Sequence, residues 1–271
     1  MADKEWRRDA AAALRFEEGI VPHLLRPWTG ELIRFARVPR GGRVLDLACG
    51  TGLVAREVSA TEGIRSGIFG VDFSPEMLSV ARKVAAEASG IRFTLADAAS
   101  LPFPDGTFDA VLCQQGLQFF ADRPLVLREI GRVLRSGGVF GASVWGREAE
   151  NAYFAAIHRA VDRYLGKEAG RMFEAPFALG EPELLKSLLD DAGFEEVEVR
   201  RLAKTLRLPP LVEFIPRHLG GTSVAALFVC KDAETRRALA ADVVADLESQ
   251  GIGAGGEFPF MMNFARGRAR T

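Results

Sequence analysis

Val44-Leu45-Asp46-Leu47-Ala48-Cys49-Gly50-Thr51-Gly52 is an apolar run that takes in an acid and then breaks into glycines, and few architectures accommodate that order. Val44, Leu45 and Leu47 supply the side chains of a strand covered on both faces. Gly50 and Gly52 allow a tight turn and a close approach of backbone to ligand. The pattern predicts a helix from Leu53 to Ala60. Its first N–H groups have no intrahelical partner and point at whatever lies beyond the strand. A nucleotide-type pocket at the carboxyl end of a parallel strand follows, which is where open α/β sheets place their ligands.

Two ligand classes compete for that pocket. Gly50-x-Gly52-x-x-Ala55 satisfies a loose form of the dinucleotide-binding pattern, which admits a nicotinamide-dependent oxidoreductase. Asp46 opposes this reading, because a carboxylate beside the turn would repel both charges of a pyrophosphate in a partly dry site. The same carboxylate suits a ligand with positive charge and no phosphate. S-adenosylmethionine (SAM), which carries an ammonium and a sulfonium, meets that requirement. The plainer alternative is that Asp46 only ties down backbone amides in a turn. No Tyr-x-x-x-Lys pair of the short-chain oxidoreductases occurs.

The next acids arrive in a matching order. Gly67-Ile68-Phe69-Gly70-Val71-Asp72 is a second apolar run, and its Asp72 stands 26 residues beyond Asp46. That is close to the spacing at which a second-strand acid meets ribose hydroxyls. A carboxylate can accept a hydrogen bond from each of two vicinal hydroxyls. Ser74-Pro75-Glu76 reads as a helix start, with Ser74 as the cap and Pro75 at the first helical position. A third strand, Ile91 to Leu95, leads to Asp97 and Ala98, a carboxylate and an amide suited to the edge of adenine. The Pro and Asp-Gly content of Leu101 to Gly106 marks a loop. Phe108 to Cys113 reads as a fourth strand, with Gln114 and Gln115 at its carboxyl end facing the same crevice.

Val-Leu-Asp-Leu-Ala-Cys-Gly-Thr-Gly (44–52), Gly-Val-Asp-Phe-Ser-Pro-Glu-Met-Leu (70–78), Asp97-Ala98 with Leu-Pro-Phe-Pro-Asp-Gly-Thr-Phe-Asp (101–109), and Glu129 to Gly138 together resemble the motifs of the class I SAM-dependent methyltransferases, in the small-molecule group. The resemblance covers Val44 to Trp145, somewhat over a third of the chain. It implies a Rossmann-like α/β fold, a seven-stranded, mostly parallel sheet with the last strand antiparallel, and transfer of a methyl group from SAM to a small-molecule acceptor. It also implies roles for particular residues. Asp46 and the turn Ala48, Gly50, Thr51, Gly52 would face the methionine end of the cofactor, and Asp72 the ribose. Phe73 and Met77 would flank the adenine, Asp97 and Ala98 would read its edge, and Gln114 would lie near the methionine moiety. Cys49 reads as a small packing residue rather than a nucleophile.

Charge and cysteine content narrow the partners. The chain has 35 basic and 36 acidic residues, without the basic face that DNA or structured RNA demands. Apolar residues make up 48% of its 271 positions, ample for a core. Three cysteines with no paired spacing suggest neither a disulfide framework nor a metal site, which fits a reducing cytoplasm. The charged start (Asp3, Lys4, Glu5, Arg7, Arg8, Asp9) does not read as a signal peptide. Val224 to Cys230 is too short to span a bilayer. The expectation is therefore a cytoplasmic protein that contacts neither membrane nor nucleic acid. Arg266, Arg268 and Arg270 read as a small basic tail, solvated and frayed.

Outside the motifs the pattern is mostly helical. Two helices are expected before Val38, linked around Pro22 and Pro27. A helix is expected at 150–165, then a looser stretch through Pro176, then a helix from Glu181 to Ala192. A strand follows from Phe194 to Leu206, with Val197, Val199 and Leu202 as inward positions. A helical insertion from Pro209 to Gly256 precedes the last strand. On this reading the chain divides into an N-terminal helical lid segment (1–40), the SAM-binding core (41–146), a lid insertion (147–180), core continued (181–208), an insertion serving as lid or homodimer surface (209–256), and the last strand with its tail (257–271). Methyl transfer from a sulfonium is an in-line displacement, so positioning of the acceptor dominates, and a base is needed only where the acceptor must lose a proton. His23, His158, His218 and Tyr153 are the weak candidates, with Tyr164 beside them. No Asn-Pro-Pro-aromatic run occurs, which argues against methylation of exocyclic amino groups of nucleic-acid bases by the route that uses that motif. The acceptor atom is left open, and so is a SAM-binding protein without transferase activity.

Overall fold

The computed structural model describes residues 10–61, 67–86 and 90–270. The charged stretch Asp3 to Asp9 lies outside them. Seven strands form one sheet: β1 (Val44–Leu47), β2 (Ile68–Asp72), β3 (Ile91–Leu95), β4 (Phe108–Gln114), β5 (Leu134–Trp145), β6 (Glu195–Arg207) and β7 (Glu257–Arg268). Their order is β3-β2-β1-β4-β5-β7-β6. Neighbours pair in parallel except β7, which runs antiparallel to both β5 and β6. All residues of β1 and β2 are buried, as expected of strands covered on both faces. The chain winds outward from β1 to β3 and then returns to place β4 on the other side of β1. That reversal opens a crevice beyond the carboxyl ends of β1 and β4.

Helices cover both faces of the sheet. On one lie α5 (Arg123–Val133), through Val126, Leu127 and Ile130, and α8 (Pro182–Asp191), through Leu185 and Leu189. The other face packs on α2 (Arg26–Ala36), through Trp28 and Leu32, and on α3 (Leu53–Ala60), through Leu53, Val54 and Val58. The same core takes in α6 (Ala152–Leu165), α7 (Lys167–Glu174), α9 (Leu211–Leu219), α10 (Ala225–Val229) and α11 (Ala233–Ser249). The helix after β2, α4 (Pro75–Val84), begins as its sequence prescribes, with the Ser74 hydroxyl accepting from Met77 N–H at 3.2 Å.

Four expectations change. The two N-terminal helices are one rod: α1 (Ala10–Arg15) runs through a π-helical stretch, Phe16–Leu25, into α2. Pro22 cannot donate, and its ring crowds the carbonyl four residues back. The wider π turn absorbs it without ending the helix. Second, the loose stretch after residue 165 contains α7. Gly166, at φ +96°, breaks the chain from α6, and Ala169 and Phe173 bury one face of the new helix at a spacing of four. Third, Leu202 does not share a face with Val197 and Val199. The two valines pack with α5 and α8, whereas Leu202 packs on the opposite core, as an offset of three along a strand requires. Fourth, the basic tail is mostly strand. Arg266 pairs with Glu198 at 2.7 Å and Arg268 with Glu196 at 3.1 Å across β6 and β7, the cross-strand charge complementarity that holds antiparallel pairs in register.

Candidate cofactor and acceptor site

A cavity of about 410 Å³ runs along the carboxyl ends of β3, β2, β1, β4 and β5, within the size range of small-molecule sites. Side chains enter it in the order of the strands. Asp97 and Ala98 follow β3, Asp72 and Phe73 end β2, Asp46 and Ala48 to Thr51 end β1, Gln114 and Gln115 end β4, and Trp145 ends β5. Four strand spacings of about 4.8 Å make this row roughly 19 Å long, enough for two small molecules end to end. Every residue assigned above to the cofactor lines the cavity except Gly52.

Gly52 serves the fold instead. It caps α3 at φ +80°, and a Cβ there would lie 2.7 Å from the Phe93 ring, so no other residue fits. Ala48 and Gln115 also adopt left-handed backbone, at φ +53° and +55°. Such conformations in non-glycine residues are strained and persist where the surroundings impose them. Both flank the switch point, one after β1 and one after β4.

Asp46 is buried at the cavity wall, and its Oδ2 accepts from Ala55 N–H at 2.9 Å. Burial pushes its pKa up to about 7. The Asp72 charge adds to the rise, while the Ala55 bond and Arg56 oppose it. The turn-acid reading thus holds for one oxygen. The same bond occupies one of the first amides of α3, at the helix end where a pyrophosphate would sit.

Asp72 is tied down at both oxygens, Oδ2 accepting from Gly50 N–H at 2.8 Å and Oδ1 from Ser74 N–H at 2.9 Å. Each carboxylate oxygen can accept more than one bond, so a vicinal diol remains within its capacity. Asp97 accepts from Ala99 N–H at 2.8 Å and borders the cavity beside the Phe73 ring, which is 44% exposed at the mouth. A large exposed ring at the rim of a pocket is a surface that a flat ligand can cover.

The sequence predicts a helical lid segment at the N-terminus but marks none of the residues by which it lines the site. Phe16, Ile20, Val21, Leu24 and Leu25 of its π-helical stretch line the cavity. Glu17 holds the rod to the β1 turn, accepting from the Thr51 hydroxyl at 2.5 Å and pairing with Arg56 at 2.8 Å. Gln114 holds its other end, donating to the Leu25 carbonyl and accepting from the Thr29 hydroxyl, each at 2.9 Å. The side chain expected near the methionine moiety therefore fastens a helix at the cavity wall. Apolar positions recurring at 16, 20–21 and 24–25 were the available signal, obscured by a repeat longer than 3.6 residues.

Beyond Trp145 the walls turn aromatic: Phe154, Phe173 and Phe177, with His218, Thr222 and Ser223. These come from α6, α7, the short turn after it (Ala175–Phe177) and the 209–256 insertion. Of the weak proton-transfer candidates, His218 alone lines the cavity. Tyr153 lies behind it, fully buried, with its hydroxyl 3.0 Å from His218 Nδ1. His158 is held outside by Glu148 at 2.9 Å. His23 packs edge-on against Phe214, and burial followed by the Arg217 charge lowers its pKa. Tyr164 donates to Asp242. No cluster of metal-ligating side chains occurs among the described residues, and no helix among them is long and apolar enough to cross a membrane.

Comparison with known proteins bears on the fold and the family. Residues 45–142 match a family described as "Methyltransferase domain". Demethylmenaquinone methyltransferase of Thermus thermophilus is 35% identical over 62% of this chain and 80% of its own length. The YcgJ protein of Bacillus subtilis superposes with a TM-score of 0.60 at 21% identity, covering 90% of this chain and 98% of that one. Phosphoethanolamine N-methyltransferase 2 of Haemonchus contortus, solved with phosphomonomethylethanolamine and S-adenosylhomocysteine, superposes with a TM-score of 0.62 at 17% identity, covering 97% and 58% of the two chains. The chain belongs to the class I SAM-dependent methyltransferases. Its reaction is transfer of a methyl group from SAM to a small-molecule acceptor.

Proposed function

We propose that the acceptor is a flat, largely apolar ring bearing oxygen, of hydroquinone type, seated beyond Trp145 while SAM occupies the row from Asp97 to Asp46. The observation that carries this reading is that one cavity gathers Asp46, Asp72 and Asp97 from the strand ends together with Trp145, Phe154, Phe173 and Phe177. Aromatic walls favour planar ligands through stacked and edge-on contacts, and the Thermus thermophilus relative is named for demethylmenaquinone. The near balance of 35 basic and 36 acidic residues supports a small molecule over a nucleic acid.

In this reading Asp46 and the turn Ala48 to Thr51 meet the methionine end and Asp72 holds the ribose. Phe73 and Met77 flank the adenine, and Asp97 with Ala98 reads its edge. The chemistry of the donor set fits SAM: carboxylates for hydroxyls and cations, and Asp46 where a pyrophosphate would need positive charge. Bound there, SAM supplies a methyl group on a positively charged sulfur. The protein's part is alignment and exclusion of water. The N-terminal rod, fastened through Glu17 and Gln114, acts with the 147–180 segment and the 209–256 insertion as the lid that closes both compartments.

The test is incubation of the protein with methyl-labelled SAM and demethylmenaquinone in its reduced form. Label in the extracted ring product, matched by S-adenosylhomocysteine formed, is the expected result. Label that stays in SAM, while a phosphoethanolamine control is methylated, would reassign the acceptor.

A further inference from the structure

His218 is the one imidazole on the cavity wall, and its hydrogen-bond role follows from what stands behind it. Tyr153 is fully buried among Phe154, Phe214, Phe258 and Phe260, and its hydroxyl meets one partner among the described residues, His218 Nδ1 at 3.0 Å. A buried hydroxyl that only accepts leaves its own proton unsatisfied, which costs free energy in an apolar surround. Burial also raises the Tyr153 pKa well above its ordinary value, so the phenol keeps its proton. Tyr153 therefore donates to Nδ1. An imidazole that accepts at Nδ1 while neutral carries its proton on Nε2. The rings of Tyr153 and Phe214 lie nearly parallel to the imidazole, at 19° each, and fix its plane.

We infer that Tyr153 sets His218 as the Nε2–H tautomer, and that His218 is thereby a hydrogen-bond donor to an oxygen of the methyl acceptor rather than the base that deprotonates it, the proton that the hydroquinone releases on methylation passing to water. The inference concerns the same site and rests on the hydroquinone reading for the identity of the oxygen, but not for the tautomer. An Nε2–H donor held in plane by aromatic rings orients an oxygen-bearing ring toward the cofactor.

Two measurements decide it. Long-range proton–nitrogen spectra of uniformly ¹⁵N-labelled protein read the tautomer with no acceptor present. The chain has three histidines, and His218→Gln identifies the signal. The expected state is Nε2–H in the wild type, lost as a single fixed form in Tyr153→Phe. In the transfer assay on reduced demethylmenaquinone, His218→Gln keeps a donor amide and no base. It should retain kcat within about threefold, with an unchanged pH profile, whereas His218→Leu should lose about thirtyfold in kcat/KM, the usual worth of a buried hydrogen bond to a polar or charged partner. SAM affinity should hold in both variants. A neutral Nδ1–H imidazole, or a Gln variant as inactive as Leu and missing a pH limb, would overturn the donor assignment. Equal activity of all three proteins would overturn it as well. Wild-type protein that leaves the hydroquinone unmethylated contradicts the acceptor reading alone, and the spectra still decide the tautomer.

Discussion

Asp46→Asn should make the cofactor-free protein more stable at pH 8 and, at the same time, a poorer binder of SAM. The carboxyl has an ordinary pKa near 3.8 and is pushed up to about 7 in the folded chain. Below pH 4 both folded and unfolded states are protonated, and the group contributes nothing. Between about 4 and 7 the unfolded chain gives up the proton and the folded chain keeps it, so stability falls as pH rises. Above 7 the whole penalty is present, about 4 kcal/mol at its upper bound from a difference of three pH units. Asn retains an acceptor for Ala55 N–H and removes the penalty. A gain of about 2 kcal/mol, or roughly 5 °C in Tm, is expected at pH 8 and none at pH 4. Binding should move the other way. A cationic ligand draws Asp46 into its ionised form, so wild-type affinity for SAM should rise from pH 6 to 8 with release of a proton. In the Asn variant affinity should be flat with pH and about tenfold weaker. Calorimetry in two buffers of different ionisation enthalpy reads the proton. Unchanged affinity and no proton release would reduce Asp46 to a cap for α3.

Asp72→Ala should weaken SAM and S-adenosylhomocysteine equally, by about thirtyfold to a hundredfold. Two hydrogen bonds to ribose hydroxyls are worth roughly 2–3 kcal/mol together. The variant also releases the Gly50 and Ser74 amides that Asp72 holds at 2.8 and 2.9 Å, so the β1 turn and the start of α4 lose their common anchor. A lowered Tm should accompany the lost affinity. Asp72→Asn keeps one oxygen for these amides and should fall between. SAM affinity that survives the Ala change would contradict the ribose assignment.

The parts of this protein that can be read from its sequence are those in which chemistry is local. Asp46, Asp72 and Asp97 each stand at or just after a strand end, so the three acids are legible from pattern, while their order across the sheet comes from the strand topology. Ser74, Pro75 and Glu76 mark the cap and first turn that the structure contains. What escaped was assembled from distant residues. Glu17 meets Thr51 and Arg56 only because the N-terminal rod lies across the β1 turn, and no spacing records that. The rod was divided in two because Pro22 reads as a break, when a π turn accommodates it. The acceptor compartment draws Trp145, Phe154, Phe173 and His218 from four separate elements, each residue an ordinary apolar or polar position in its own segment. Gly52 misleads in the opposite way. It belongs to the motif, yet what demands it is the ring of Phe93.

The arrangement proposed for the cavity stands or falls with what binds beside Asp46 and Asp72. Calorimetric titration of the purified protein with SAM, S-adenosylhomocysteine and NADH in parallel measures that. Micromolar binding of both adenosyl ligands, one per chain, with no heat from NADH, is the predicted result. Binding of NADH in their place would mean that the β1 turn holds a pyrophosphate despite Asp46, and neither carboxylate would then meet the methionine end or the ribose of SAM.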